Sequence, residues 1–295
     1  MKKNVINSPI RWAGSKKKLL NEMLNFFKSD AEVYVEPFLG SGVVLINVLN
    51  NIEFFEYKKF YVNDINSNII NFYILLKEEY DYVEKNILRI LNKYEEITDL
   101  LEKEKFYYDI RKKYNEENNK IKAIYFYFLM KAGYNGVYRE NKKGEFNVPF
   151  GKKEHLSIDF ENLKLISQKI QNVEFFNMEY IDFLNLLKEK GHLNKAFVYC
   201  DPPYLPEENS VNQKQELYTK KSFDHIKFSE YINKTKKSKI IVSMIDSKIS
   251  NEIYGSLKKY LLTDIMRTIN PKKIFKSTEV LFSNYNIDTL KFKDK

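Results

Sequence analysis

Ala196-Phe197-Val198-Tyr199-Cys200-Asp201-Pro202-Pro203-Tyr204 is the stretch on which the fold turns. An apolar run of this length reads as a strand buried on both faces, and the acid, two prolines and tyrosine after it read as its abrupt end. A proline donates nothing to a sheet ladder and holds the residue before it in extended geometry. Asp201 and Tyr204 are therefore fixed at the carboxyl end of a strand, the edge at which open α/β sheets bind ligands. A carboxylate, a proline-fixed carbonyl and a flat ring can together grip a planar ring that carries an amine. An ordinary strand-ending turn could show the same tetrapeptide, so its weight depends on what else the chain carries.

On both sides of this segment strands alternate with helices. Val33–Glu36 reads as a short strand, 37–42 as a tight loop and Val43–Leu49 as the helix it feeds; Phe60–Asn63 is a second strand ending at Asp64, and Ser67–Lys77 a second helix. From about residue 78 to 155 the strand rhythm stops, giving way to charged helical stretches, the apolar run Ala123–Met130 and a glycine-rich segment from Gly133 to Gly151. Strands resume at Val173–Phe176, Ala196–Cys200 and Lys239–Met244, near Leu261–Ile269, and at Glu279–Tyr285. The alternation predicts an α/β fold, a mostly parallel Rossmann-like sheet with helices on both faces. Residues 1–77 and 156–295 would build it, and 78–155 would be an inserted, mostly helical domain.

At 295 residues and 43% apolar, the chain can bury a sizeable core. One cysteine excludes an internal disulfide and fits a reducing cytoplasm; at the end of its strand, Cys200 reads as packing. Met1-Lys2-Lys3-Asn4 has no apolar signal core, and no stretch approaches the roughly 18 apolar residues that span a bilayer, so no membrane partner is expected. The formal charge of +9 admits a polyanionic partner, but 44 lysines against five arginines also fit a biased genome. Against that background the glycines are informative. Three of nine fall at 14, 40 and 42, and four at 133, 136, 144 and 151.

The first cluster, Glu36-Pro37-Phe38-Leu39-Gly40-Ser41-Gly42, follows a strand and opens a helix, where glycines let a ligand approach helix-terminal N–H groups. Asp64 ends the next strand, 22 residues beyond Gly42, placed to bind ribose hydroxyls. The third glycine of a dinucleotide fingerprint is missing, which disfavours a nicotinamide cofactor. Trp12, the only tryptophan, stands beside Gly14 and Lys16 and could stack on a purine, with Lys16 available to a carboxylate.

The order Trp12-Ala13-Gly14-Ser15-Lys16, Glu36 to Gly42, Asn63-Asp64-Ile65-Asn66, Gly144-Glu145-Phe146-Asn147-Val148-Pro149-Phe150-Gly151, then Asp201 to Tyr204, resembles the Dam-like DNA adenine methyltransferases over nearly the whole chain. The resemblance implies a class I methyltransferase fold with S-adenosylmethionine as donor, double-stranded DNA as partner, and the motif order of the alpha group of amino methyltransferases. Carried over residue by residue, it implies that Trp12, Lys16, Phe38, Gly40, Gly42, Asp64, Asp182 and Asp201 contact the cofactor. Asp201, Pro202 and Tyr204 would carry the chemistry. Residues 133–151 would form a β-hairpin entering the groove, with Tyr134, Asn135, Val137, Arg139 and Pro149 on DNA. The residue matching Arg139 reads guanine in the family, and Arg11 stands where the best-known members have lysine. Lys220 and Lys221 would touch phosphate. Residues 269–277 depart from the family, whose members carry a glycine- or serine-rich basic loop there.

The residue types fit the implied chemistry. An adenine amine has its lone pair drawn into the ring, and accepting its hydrogens with Asp201 and the Pro202 carbonyl favours a nucleophilic, tetrahedral nitrogen. The target must leave the duplex to reach such a pocket. GATC is the expected site, with GATATC a related palindrome. Two other readings stand beside this one: methylation of another exocyclic amine, in cytosine or RNA, and DNA binding without catalysis. A cognate restriction endonuclease is a candidate partner, and a monomer or weak dimer in the cytoplasm of a bacterial or phage-infected cell is the expected state.

Overall fold

The computed structural model describes residues 5–12, 14–27, 30–205, 223–270 and 273–287, with the side chains of 263–277 outside that description. Strands β1 (Val33–Glu36), β2 (Lys59–Asn63), β3 (Val173–Phe176), β4 (Ala196–Cys200), β5 (Lys239–Ile245), β6 (Lys258–Asn270) and β7 (Lys273–Ser283) form one sheet in the order β3-β2-β1-β4-β5-β7-β6. The first five are parallel to their neighbours, and β7 runs antiparallel between β5 and β6. This is the mostly parallel α/β sheet that the alternation of strands and helices predicts.

Side-chain alternation on the strands explains why both faces are covered. Tyr34, Phe60, Val62, Phe197 and Tyr199 point to one apolar cluster, while Val35, Tyr61, Val198 and Cys200 point to the other. The first cluster takes in helices α1 (Leu20–Met23), α2 (Val43–Asn50), α3 (Ser67–Glu78), α4 (Tyr80–Glu96), α5 (Leu100–Glu116), α6 (Ile121–Ala132) and α7 (Phe160–Lys169). The second takes in α8 (Tyr180–Glu189), α9 (His225–Lys234) and α10 (Lys248–Tyr254). Cys200 is buried in it, and burial pushes its thiol up, which makes it a packing residue. Among the described residues no helix is long and apolar enough to cross a membrane.

Residues 80–132 are helical throughout α4, α5 and α6, whose buried Tyr94, Tyr107 and Phe128 belong to the same cluster as the sheet. The apolar core is thus continuous beneath the middle block. The segment 133–151 is less regular than a hairpin of two strands. It has a 3-10 turn at Tyr134–Gly136 and isolated antiparallel bridges at Gly133↔Phe150 and Glu140↔Phe146. At the other end of the sheet, β7 starts six residues before the expected Glu279, and the ladder between β6 and β7 runs out to Asn270↔Lys273. The stretch 269–277, expected as a loop, is mostly strand in its described residues, which belong to β6 and β7; Pro271 and Lys272 lie outside the described residues.

Candidate active site

Strand order reverses direction between β1 and β4, so the loops after these two strands splay to opposite faces and leave a crevice at their carboxyl ends. A cleft of about 900 Å³ opens there, lined by Glu36 to Ser41, Asn63 to Asn66, 178–181 and Asp201 to Tyr204. Its floor is stiff. The Asn63 amide donates to the carbonyls of Pro37 (3.1 Å) and Met178 (3.0 Å) and accepts the Met178 N–H (3.0 Å), tying the ends of β1, β2 and β3 together.

Backbone conformation, more than side chains, shapes the loop after β1. Gly40 and Gly42 have φ of +51° and +71°, in the left-handed region that favours glycine. Gly42 is the N-cap of α2, and the Tyr73 hydroxyl, which donates to the Ser41 carbonyl at 2.5 Å, would lie 2.5 Å from any Cβ there. The Gly40 N–H donates to Asp64 Oδ2 at 2.8 Å and the Asn66 N–H to Oδ1 at 2.9 Å, so Asp64 is bonded to the glycine loop as well as facing the cleft. Burial pushes the Asp64 carboxyl up, against these two N–H groups. Beneath the loop, burial drives Glu36 well above the usual carboxylate range, with Asp201 and Asp64 adding to the effect, while the Tyr34 hydroxyl donates to it at 2.8 Å.

At the β4 side, the buried Lys16 reaches Asp201. Its ammonium lies 3.0 Å from Asp201 Oδ1, forms a closer ion pair with Glu279 on β7, and donates to the Tyr204 hydroxyl at 3.3 Å. Burial alone would push the ammonium down, but the Asp201 and Glu279 carboxylates, with Tyr204, hold it well above its ordinary value. Pro202 is buried and Tyr204 half exposed, its ring against Gly14. Phe38 is enclosed by Tyr180 and Phe223 at 5.4 Å and Phe228 at 5.6 Å between ring centroids.

Trp12 stands at the mouth, its ring 5.6 Å from that of Tyr138 and beside Gly40, between the glycine loop and the 133–151 segment. That segment is anchored by alternate residues. Phe146, Val148 and Phe150 are buried, and the Val148 carbonyl accepts from Tyr107 Oη (3.0 Å) and Arg111 Nη1 (3.1 Å) on α5. Tyr134, Asn135, Val137, Arg139 and Pro149 face outward and are exposed. Asn147 fixes the Arg139 guanidinium, accepting from Nε at 2.7 Å on its side chain and from Nη2 at 3.2 Å on its carbonyl. The stem of Arg11 crosses Gly136, where a Cβ would stand 2.3 Å from its Cδ.

The fold therefore gathers Trp12, Lys16, Phe38, Gly40, Asp64, Asp201, Pro202 and Tyr204 around one cleft, with Gly42 directly behind it, and sets Arg11 against the 133–151 segment. Asp182 is not brought there: it is exposed on α8, while 178–181 line the wall. Lys220 and Lys221 lie outside the described residues. Lys16, expected to be available to a carboxylate, faces two, Asp201 and Glu279, and Glu279 itself was not anticipated. Its one signal in the sequence is an acid at the head of the apolar run Val280-Leu281-Phe282.

The sequence profile of the D12 class N6 adenine-specific DNA methyltransferases matches residues 12–269. The type II methyltransferase M.MjaIII of Methanocaldococcus jannaschii is 30% identical over 94% of this chain and 98% of its own. A DNA adenine methylase of Haemophilus influenzae is 26% identical over 92% of this chain and 91% of its own, and that of Escherichia coli K12 31% identical over 72% and 69%. A solved rRNA methyltransferase, aviRa from Streptomyces viridochromogenes, has a TM-score of 0.38 at 9% identity over 89% of this chain and 81% of that one; so slight a likeness transfers nothing about the site. With its sheet reversal, its acid-bearing proline turn and a profile match across most of its length, the chain belongs to the D12 class N6 adenine-specific DNA methyltransferases.

Proposed function

We propose that the protein uses S-adenosylmethionine to methylate the exocyclic amino group of an adenine flipped out of duplex DNA, within GATC. The observation that carries this reading is Asp201: two prolines hold it at the strand-order reversal, paired to a buried lysine and three residues from the half-exposed Tyr204. The cleft suits a cationic ligand, because Asp64, Glu179, Asp201 and Asp224 outnumber Lys16 and Lys227 on its walls. Phe38, Trp12 and the backbone at Gly40 and Gly42 would hold the cofactor. Each Asp64 oxygen accepts one backbone N–H and keeps lone-pair capacity for ribose hydroxyls. When bound, the cofactor supplies a methyl group made electrophilic by its sulfonium.

The remaining work falls to the chain. Asp201 and the Pro202 carbonyl accept the two amine hydrogens, which turns the nitrogen lone pair out of the ring and stabilises the charge that develops on that nitrogen. Tyr204 stacks on the base, and this contact with the Asp201 bonds offsets an unstacking cost of a few kcal/mol. Fixing the base beside the donor accounts for much of the rate, on the order of 7–11 kcal/mol for well-oriented reactants. Residues 78–155 serve as the target-recognition domain. Arg139, pre-oriented by Asn147, and Arg11, braced on Gly136, are suited to bidentate contact with guanine, and Val137 and Pro149 to the thymine methyl. The GATC assignment is supported by the likeness of this segment to GATC readers.

The test is incubation with labelled S-adenosylmethionine and duplexes bearing GATC, GATATC or neither, followed by methylation-sensitive digestion. Label on the GATC duplex alone is expected. Label on no duplex overturns the enzyme reading, and equal label on all three overturns the site.

A further inference from the structure

We propose that Glu279 is a positioning residue for Asp201, acting through Lys16. The proposal rests on the reading that Asp201 accepts the amine hydrogens. Lys16 Nζ bridges two carboxylates from strands that are not neighbours, Asp201 beyond β4 and Glu279 on β7. Lys16 is 2% exposed and Glu279 not at all, whereas Asp201, on the cleft side, is 22% exposed. The inner end is locked: the Ser243 hydroxyl on β5 donates to the same Glu279 oxygen at 2.8 Å, and Ile245 and Glu279 are direct partners in the ladder.

One ammonium shared by two carboxylates leaves the row with a net negative charge, and the two ends compete for the cation. Glu279, desolvated and in the closer contact, takes the larger share. Asp201 is thereby anchored on its Oδ1 side without being neutralised, which keeps it a strong acceptor for an amine. With Glu279 uncharged, Lys16 turns its whole charge to Asp201 and weakens it as an acceptor. With Lys16 removed, two carboxylates face each other and Asp201 loses the ion pair on its Oδ1 side. Glu36, Tyr199, Cys200 and Tyr204, the last also within reach of Lys16, are the other titratable groups facing this row.

The experiment is a double-mutant cycle on the full chain with Glu279→Gln, Lys16→Met and their combination. Initial rates are normalised to competent sites by burst amplitude, and folding is followed by thermal melting. Glu279→Gln is expected to lower kcat about 10- to 100-fold, less than the on the order of 10² to 10³ lost with a direct stabilising contact. The KM values for cofactor and DNA should stay within about threefold, as expected for a loss confined to the reacting step. In the Lys16→Met background the same change should bring no further loss in kcat, because the cation that couples Glu279 to Asp201 is gone and the change removes one of the two facing carboxylates. Full multiplicative losses in the double variant would overturn the proposal. Ser243→Ala, a smaller change that leaves both charges, should lower kcat about two- to fivefold at constant KM; unchanged kcat in both it and Glu279→Gln also overturns the proposal. If Asp201→Ala retained activity, the catalytic reading itself would fall; if Asp201→Ala is inactive and the cycle is additive, only the role of Glu279 falls.

Discussion

The glycine loop at 36–42 and the glycine-rich segment at 133–151 use the same residue to opposite ends. In the first, nearly every residue is buried, the peptide carbonyls of Pro37 and Ser41 are bonded by Asn63 and Tyr73, and backbone faces the cleft. In the second, anchoring and presentation are divided between alternate residues: Phe146, Val148 and Phe150 hold the segment to the helices, while Arg139, Asn147 and Pro149 point away. On the proposed function, the site that must fit one invariant cofactor is built from a backbone fixed on every side, and the surface that must fit a base sequence from side chains that can change without disturbing what holds them.

The sharpest separation comes from Asp201→Ala. It is expected to abolish methyl transfer, with kcat falling on the order of 10³-fold, about 4 kcal/mol, while duplex affinity stays near that of the unaltered protein. The fold should survive, since Lys16 keeps Glu279 as its carboxylate partner. Activity within tenfold of the parent in a filter-binding and methylation assay would remove Asp201 from the chemistry, and lost DNA binding would merge the two regions that the comparison separates.

Gly42→Ala probes the fixed loop. An alanine there must hold φ near +71° with its Cβ 2.5 Å from the Tyr73 hydroxyl. The left-handed geometry costs about 1–2 kcal/mol, and displacing a buried hydroxyl from its hydrogen bond adds about 1 kcal/mol. A loss of about 2–3 kcal/mol, about 4–12 °C in Tm at 2–4 °C per kcal/mol, together with weaker cofactor binding by calorimetry, is expected. A melting temperature within about 2 °C of the parent would show that the loop yields more easily than its contacts imply.

How much of this was legible from the chain depends on where the physics is local. Strands β1, β3 and β4 end where apolar runs meet Pro37, Asn177 and Asp201-Pro202, and the observed Val33–Glu36, Val173–Phe176 and Ala196–Cys200 coincide with what those breakers indicate. The start of β7 was hidden because ladder bonds are made by backbone, and Lys273-Ile274-Phe275-Lys276-Ser277-Thr278 carries mixed side chains that do not disclose them. Asp182 is assigned by the resemblance alone, and α8 begins at Tyr180, so Asp182 lies exposed on that helix beyond the 178–181 wall of the cleft. Glu279 could not be paired with Lys16 by any spacing rule, since 263 residues separate them and only the sheet order brings them together.

Arg139→Ala tests the presenting surface with a smaller effect. Discrimination at one guanine should fall by about 1–3 kcal/mol, read as kcat/KM on duplexes substituted at each position of the site. Stability should move by no more than about 0.5 kcal/mol, because the side chain is exposed and, among the described residues, is bonded to Asn147 alone. Unchanged discrimination would transfer the reading of that guanine to another residue, Arg11 being the first candidate.

Gly144→Ala gives the smallest change and the closest control on the comparison. Gly144 has φ of +77°, nearly that of Gly42, but a Cβ there meets nothing within 4 Å. It lies at a tip closed by Asn141, whose carbonyl accepts the Gly144 N–H at 3.0 Å and whose side chain accepts the N–H groups of Lys143 at 2.9 Å and Glu145 at 3.0 Å. Alanine bears the left-handed cost of about 1–2 kcal/mol, partly offset by the about 0.4–1 kcal/mol that a stiffer unfolded chain returns. The net loss is therefore about 1 kcal/mol or less, a drop of about 2–4 °C at most, with kcat and site preference unaltered. The two alanines differ in chemistry by nothing and in φ by six degrees, so the difference in melting between them isolates the Tyr73 contact. A Gly144→Ala loss as large as that of Gly42→Ala would mean that the tip is held as rigidly as the cofactor loop, and that the hairpin reads DNA by its backbone shape as much as by the side chains it presents.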